Sequence, residues 1–340
     1  MKFPRHLVVG TINWDTIIFV PKLPQAGEEV HIKKMLEVPG GKGANVAIAS
    51  SRILGKSNVV IIGALGKDDI GKKQVNILKG EGVNTDLICH VDSNVPSGRA
   101  VVVVDSYGNN VIFTYREANN FLDKEVGSYD ADIMKYINNS IIVTVTDPPL
   151  KVAEKILSVS FSTEVTQKRT TIWAPGLLTT RGMKGIRTAL KNTNYLILNQ
   201  PEFKSLTGSH DVDILSKPKL FLKNNEELKV IITLGHRGCI LVDRKIAVSI
   251  PTIIMRSSNG VRSRTKIMNT AGSGDAFIGT FAAMKILGNS DIESLIYANL
   301  SGTIKATRET IRASPTLEDL IAYKKKNPEI KPRVLRHYYS

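Results

Sequence analysis

Asn269-Thr270-Ala271-Gly272-Ser273-Gly274-Asp275 runs directly into the apolar stretch Ala276-Phe277-Ile278-Gly279. Small residues lead into a carboxylate and then into a helical pattern. The backbone N–H groups of a helix start therefore point at an anion, with an acid beside it. A base next to an anion hole is what phosphoryl transfer to an alcohol requires. Alone, the stretch is equally compatible with a plain loop-to-helix turn whose acid occupies the favoured first turn. Its partner lies far upstream, in Pro39-Gly40-Gly41-Lys42-Gly43-Ala44-Asn45-Val46-Ala47-Ile48-Ala49. Adjacent glycines there let the chain pass close to a ligand just before a helix, and Lys42 and Asn45 offer donors to a polar substrate. The spacing is not that of a P-loop, and no G-x-G-x-x-G follows a strand-like run. Phosphate is handled by another geometry.

Working outward, short β-rich runs alternate with helical patterns, which predicts an α/β fold with a mainly parallel sheet. Leu7–Ile12 and Val59–Ile62 read as strands, and Ala44–Leu54 between them as a helix stopped by Gly55. Ile70–Lys79 reads as a second helix ended by Gly80. Further core strands are Ile141–Val145, Thr171–Trp173, Tyr195–Leu198 and Val230–Thr233. The last helices are Gly274–Leu287, closed by Gly288, and Ile292–Ala306. Two segments break the rhythm: Val30–Val38, and the pair Arg99–Asp105 and Val111–Arg116 around a hairpin turn at Ser106-Tyr107-Gly108-Asn109. By chemistry alone these could be an edge hairpin.

A chain of 340 residues can bury a large core, and 42% hydrophobic with 23% charged residues is ordinary for a soluble globular protein. No run approaches the ~18 apolar residues of a membrane span. The N-terminus enters Leu7-Val8-Val9-Gly10 without an apolar h-region or cleavage site, the pattern expected of a cytoplasmic protein. Cys89 and Cys239 lack ligand-like spacing and are expected to be reduced, buried thiols. The net charge of +15 is scattered apart from Arg256–Lys266 and Lys324–Arg336. That favours a cationic surface and anionic substrates such as nucleotides over a specific nucleic-acid partner.

Together the GGKGAN and NTAGSGD stretches resemble the signatures of the PfkB carbohydrate kinases, the ribokinase-like family, in the family's order from about Leu7 to about Ser314. The resemblance implies a three-layer α/β/α sandwich over residues 1–320. It also implies a small β-sheet lid from about 13–39 and 98–117, whose edge mediates a homodimer, followed by a basic C-terminal tail at 321–340. It implies an ATP-dependent, Mg²⁺-dependent phosphotransferase acting on a hydroxymethyl group of a small sugar. Ribose is the first choice of acceptor, since Lys within GGKGAN leans toward ribokinases; the 5′-hydroxyl of a nucleoside is the alternative.

The same resemblance distributes the site. Asp275 takes the place of the catalytic base, with the N–H groups of Ala271, Gly272, Ser273 and Gly274 as anion hole. Asn13 and Asp15 match residues that bind sugar hydroxyls, although N-x-D after a strand is also a common turn signal. Gly41, Lys42 and Asn45 complete the sugar site. Asp147 falls where ribokinases present a glutamate, or it starts a turn before Pro148. Asn199 and Glu202 resemble the N-x-x-E motif at Mg²⁺ and the nucleotide phosphates, although Pro201-Glu202 is also a good helix start. Thr233, Gly235 and Gly238 resemble the nucleotide loop, with His236 and Arg237 solvated, and Asn299 matches a residue near the adenine. Two stretches depart from the family. Asn269 stands where an aspartate is usual, and Thr307-Arg308-Glu309-Thr310 replaces a glycine-rich pattern. Both regions form the monovalent-cation loop of ribokinases, so losing a negative ligand predicts little or no K⁺ activation. The basic stretch Met255–Lys266 reads as an insertion or a phosphate contact.

Overall fold

The computed structural model describes residues 3–92, 94–107, 109–123, 130–161, 169–208, 221–222, 225–252, 267–327 and 330–337. The hairpin residue Gly108 and the basic stretch at 256–266 lie outside them. β1 (His6–Gly10) is buried along its whole length, with Leu7 and Val9 facing one core and Val8 the other. A strand that is apolar on both faces belongs in the middle of a parallel sheet covered by helices.

That sheet has ten strands. β1 pairs in parallel with β4 (Val59–Gly66) on one side and β8 (Ile142–Thr146) on the other. β5 (Ile88–Val91) extends the first side in parallel, and β9 (Thr170–Ala174), β10 (Tyr195–Asn199) and β11 (Lys229–Thr233) extend the second. Beyond β11 the sheet turns antiparallel through β12 (Cys239–Val242), β13 (Ile246–Ile250) and β14 (Arg333–His337).

One face is covered by the helices Asp130–Asn139, Leu150–Phe161 and Gln200–Thr207, through Ile137, Ile156, Leu157 and Phe203. The other is covered by Lys42–Leu54, Asp69–Gly80, Ser273–Ile286 and Asp291–Ala306, through Val46, Leu78, Phe281 and Leu295. The three-layer architecture is as expected. So are the cysteines, which are both buried and not joined to each other. Among the described residues no helix is long and apolar enough to cross a membrane.

A separate four-stranded sheet is built from the segments that broke the βα rhythm. β2 (Asn13–Phe19) pairs antiparallel with β3 (Lys34–Gly40) and in parallel with β6 (Gly98–Val104), and β7 (Asn110–Tyr115) closes the far edge. The Asp105 carboxylate shapes the hairpin by accepting N–H bonds from Tyr107 and Asn109, each at 2.9 Å.

Several boundaries differ from the sequence reading. The first strand ends at Gly10 rather than Ile12, because the chain leaves the large sheet there and enters β2 at Asn13. Asn13 and Asp15 thus belong to a lid strand and not to a turn. Gly80 lies inside the second helix, and the left-handed residue that ends it is Gly82, at φ 79°. The segment read as a basic tail from 321 starts inside the helix Leu317–Lys326, and its Arg333–His337 supplies the edge strand β14.

Candidate active site

The candidate residues gather where the parallel strands end, the edge at which α/β sheets present ligand sites. Gly10 and Thr146 are paired in register and end β1 and β8; Asn199 and Thr233 are paired and end β10 and β11. The helix Lys42–Leu54 starts beside them on Gly41, whose φ of 95° suits glycine, and a Cβ there would meet backbone atoms of Thr11, Ile12 and Asn13 within 2.7 Å. The turn is pinned further by Thr11, whose hydroxyl accepts the Lys42 N–H at 3.2 Å.

Asp275 lies in the first turn of the helix Ser273–Ile286, which starts on left-handed Gly272 at φ 79°. Asn45 donates its Nδ2–H to Asp275 Oδ2 at 2.7 Å, joining the two sequence motifs across 230 residues. Burial raises the pKa of Asp275, partly offset by the Asn45 hydrogen bond and the Lys42 ammonium, while Asp147 and Glu202 raise it further. A carboxylate whose pKa is raised by burial is better suited to accept a proton. Of the N–H groups assigned to the anion hole, two are already engaged. Ala271 donates to Asn269 Oδ1 at 2.9 Å, and Ser273 donates to Thr270 O at 3.1 Å. Those of Gly272 and Gly274 have no partner among the described residues and are free to donate to an anion.

Asp15 is 7% exposed, and its Oδ1 finds no hydrogen-bond donor among the described residues. Gly40 lies directly against this carboxylate; a Cβ at Gly40 would fall 1.9 Å from Asp15 Oδ2. Burial pushes the Asp15 carboxyl up to about 7, with Arg312 opposing and Asp275 adding. A buried acceptor left open in this way calls for a donor such as a substrate hydroxyl. Its neighbour Asn13 accepts Asn119 Nδ2–H at 3.0 Å, and Asn119 also accepts the Ile12 N–H at 2.9 Å.

Asp147 is more than a simple turn residue, and its buried Oδ1 has no hydrogen-bond donor among the described residues although an arginine pairs with it ionically. It adopts φ 56°, forms an ion pair with the lid residue Arg116 at 2.7 Å, and lies 3.9 Å from Lys42 Nζ. Arg116 also donates to the Asp147 carbonyl at 3.2 Å. The carboxylate therefore ties the lid to the end of β8 and orients Lys42.

At the end of β10, Asn199 and Glu202 form a capping box. Asn199 Oδ1 accepts the Glu202 N–H at 2.8 Å, and Glu202 Oε2 accepts the Asn199 N–H at 3.0 Å. Helix initiation thus uses part of their capacity. Glu202 also raises the pKa of Asp275, so the two carboxylates lie within electrostatic reach of each other. Among the described residues no cluster of three acids, histidines or cysteines could hold a metal ion. One carboxylate in this position fits Mg²⁺, which keeps several waters and needs few protein ligands. Thr233 ends β11 and the turn Gly235–Arg237 follows it, with Gly235 at φ 59°, Gly238 at φ 91°, and His236 and Arg237 exposed. Asn299 is buried and donates to Ile250 O at 3.0 Å, which places it behind this loop.

Four contributors were not found by sequence reasoning. Arg312 is buried between the motifs, donating Nε–H to Asn45 Oδ1 at 3.0 Å and an Nη2–H to Gly40 O at 2.6 Å. Arg116 and Asn119 come from the lid and the 3₁₀ turn behind it. Lys305, fully buried, donates to Asn269 O at 2.7 Å. Local spacing carries no sign of any of them, because each acts on residues more than 30 positions away.

Comparison with known proteins identifies the family and the fold. The sequence profile described as "pfkB family carbohydrate kinase" matches residues 4–317. Over 325 residues, covering 90% of this chain and 96% of the relative, the chain is 29% identical to the ribokinase of Dictyostelium discoideum. The crystal structure of a Cryptococcus neoformans ribokinase in complex with ADP superposes with a TM-score of 0.78 at 25% identity, covering 94% of this chain and 99% of that one. The fold is also that of a Burkholderia thailandensis nucleoside kinase in complex with inosine, with a TM-score of 0.76 at 17% identity, covering 96% and 99%.

Proposed function

The chain belongs to the pfkB family of carbohydrate kinases, and we propose that it transfers the terminal phosphate of ATP to a hydroxymethyl group of a small sugar, with ribose as the acceptor. The observation that carries this reading is the pairing of Asp275 with an open, buried acceptor at Asp15. One carboxylate has its pKa raised beside free N–H groups, and the other awaits hydroxyl donors. The similarity to ribokinases along most of the chain supports ribose.

In this mechanism Asp15 and Asn13 hold sugar hydroxyls, a carboxylate being able to accept two from a vicinal diol. Gly41 lets the turn approach the sugar, and Lys42, 3.9 Å from Asp147, acts electrostatically on the base. Asp275 accepts the proton of the attacking hydroxyl, and Asn45 fixes its oxygen. Gly272 and Gly274 donate to the phosphoryl group in flight, while Ala271 and Ser273 brace the turn that presents them. Asn199, Thr233, Gly235 and Gly238 line the nucleotide side, with Asn299 supporting the loop from behind. Mg²⁺ held through water near Glu202 and Asn199 would neutralise phosphate charge. The exposed apolar residues of the lid edge, Val111, Ile112, Phe113 and Tyr115, support a homodimer through β7. Phe113→Lys would then leave a monomer in sedimentation; an unchanged mass would remove the lid from the interface. A cytoplasmic location fits the absence of a membrane-length helix among the described residues.

ADP release from Mg-ATP across pentoses, hexoses, keto-deoxy acids and nucleosides tests the reading. Turnover with free ribose far above the others supports it. A preference for a nucleoside would keep the mechanism and replace the acceptor.

A further inference from the structure

The two loops that depart from the family meet at a side chain of the protein itself. Met268 and Asn269 donate their backbone N–H groups to Ala306 O at 2.9 and 3.2 Å, and Asn269 Nδ2–H reaches Glu309 O at 2.8 Å. Into this junction Lys305 sends its ammonium from the last turn of the helix Asp291–Ala306. The side chain is fully buried, and Nζ donates to Asn269 O at 2.7 Å. A lysine near a helix C-terminus ordinarily bonds the carbonyls of its own last turn at the surface. This one is buried and bonds the opposite loop.

Burying an ammonium is costly unless a charge repays it. No carboxylate among the described residues forms an ion pair with Lys305; the acid whose field acts on it is Asp275. Asn269 in turn accepts the Ala271 N–H at 2.9 Å, so Lys305 is one link from the turn that bears Gly272 and Gly274. These residues do not fit a bound monovalent cation. The aspartate usual at 269 is a neutral asparagine, and the space against its carbonyl is filled by Lys305 Nζ.

We propose that the Lys305 ammonium is a tethered monovalent cation, a positioning residue that locks the 268–271 and 306–309 loops together and sets the anion hole for the nucleotide phosphates without added K⁺. The proposal rests on the kinase reading. Nucleotide binding needs no acceptor, however, so an incorrect sugar assignment would emerge in the acceptor panel and leave this test standing.

Binding of Mg-ADP is measured by calorimetry, and turnover by ADP release, with either tetramethylammonium or K⁺ as the only monovalent cation. The wild-type chain is expected to give the same Kd and rate in both, within about twofold. Lys305→Ala is expected to bind Mg-ADP at least tenfold more weakly, and n-propylammonium, which rebuilds the missing stem and charge, is expected to restore several-fold of that loss. Lys305→Met, which keeps the apolar stem, shows the same loss and serves where the alanine variant does not fold. A many-fold gain of the wild type in K⁺ would overturn the proposal, as would a Met variant equal to wild type. Failure of n-propylammonium to restore the alanine variant would reduce Lys305 to a packing residue and overturn it equally.

Discussion

Asn45 donates to Asp275 Oδ2 at 2.7 Å while its own Oδ1 accepts Arg312 Nε–H at 3.0 Å, so one amide links the base to a buried guanidinium. The contact fixes which Asp275 oxygen remains free to take a proton. Asn45→Ala removes a hydrogen bond to a charged group, worth about 1.5–3 kcal/mol. We expect kcat to fall by about tenfold to a hundredfold with nucleotide affinity unchanged. Steady-state kinetics would contradict this if kcat stayed within twofold of wild type.

On the proposed reading, Asp15 should couple sugar binding to pH. With its pKa pushed up to about 7, the free site is protonated below neutrality. Bound hydroxyls donate to the charged form and favour it, so binding is tighter above that pH and KM for the sugar should rise as the pH falls through about 7. Asp15→Asn should raise KM and flatten its pH dependence. A wild-type KM independent of pH across this range would remove Asp15 from the site.

The same group should cost stability. Between the ordinary carboxylate value of 3.8 and about 7 the folded chain holds more protons than the unfolded one, so Asp15 lowers stability as pH rises, with the full cost above pH 7. Asp15→Asn is therefore expected to gain about 1–2 kcal/mol near pH 8 and little near pH 4. Urea unfolding at the two pH values decides; a variant less stable near pH 8 would show that the wild-type carboxylate is not strained.

Arg116 should act through the lid. It reaches Asp147 from the lid at 2.7 Å, and Arg116→Ala leaves that carboxylate, among the described residues, with Lys42 as its one ion-pair partner, at 3.9 Å. We expect a rise in sugar KM of about tenfold, or ~1.4 kcal/mol, with a smaller change in kcat. An unaffected KM would confine the ion pair to a structural role.

Much of this was legible in the sequence, for identifiable reasons. Leu7–Val9 in β1 and Val59–Ile62 in β4 announce themselves as apolar runs, because a doubly covered parallel strand can expose neither face. Asp275, Lys42 and Asn45 were visible because small residues and glycines bracket them. Asn199 and Glu202 were visible too, but the same pattern specifies a capping box, and the structure shows both uses overlapping. Asn13 and Asp15 looked like turn residues because strand alternation in β2 is obscured: the lid is only partly buried on either face. Arg312, Arg116 and Lys305 could not be read at all. Their significance lies in contacts with partners distant in the chain, and such contacts leave no local periodicity.

The central claim is that Asp275 is the base of a phosphoryl transfer, and Asp275→Asn tests it most directly. The variant keeps the shape and the helix start, so Mg-ADP binding by calorimetry should stay within about threefold of wild type while ADP release with the preferred acceptor falls by at least a thousandfold. Near-normal turnover with intact nucleotide binding would contradict the account, since no other carboxylate in the described site is held against the helix start.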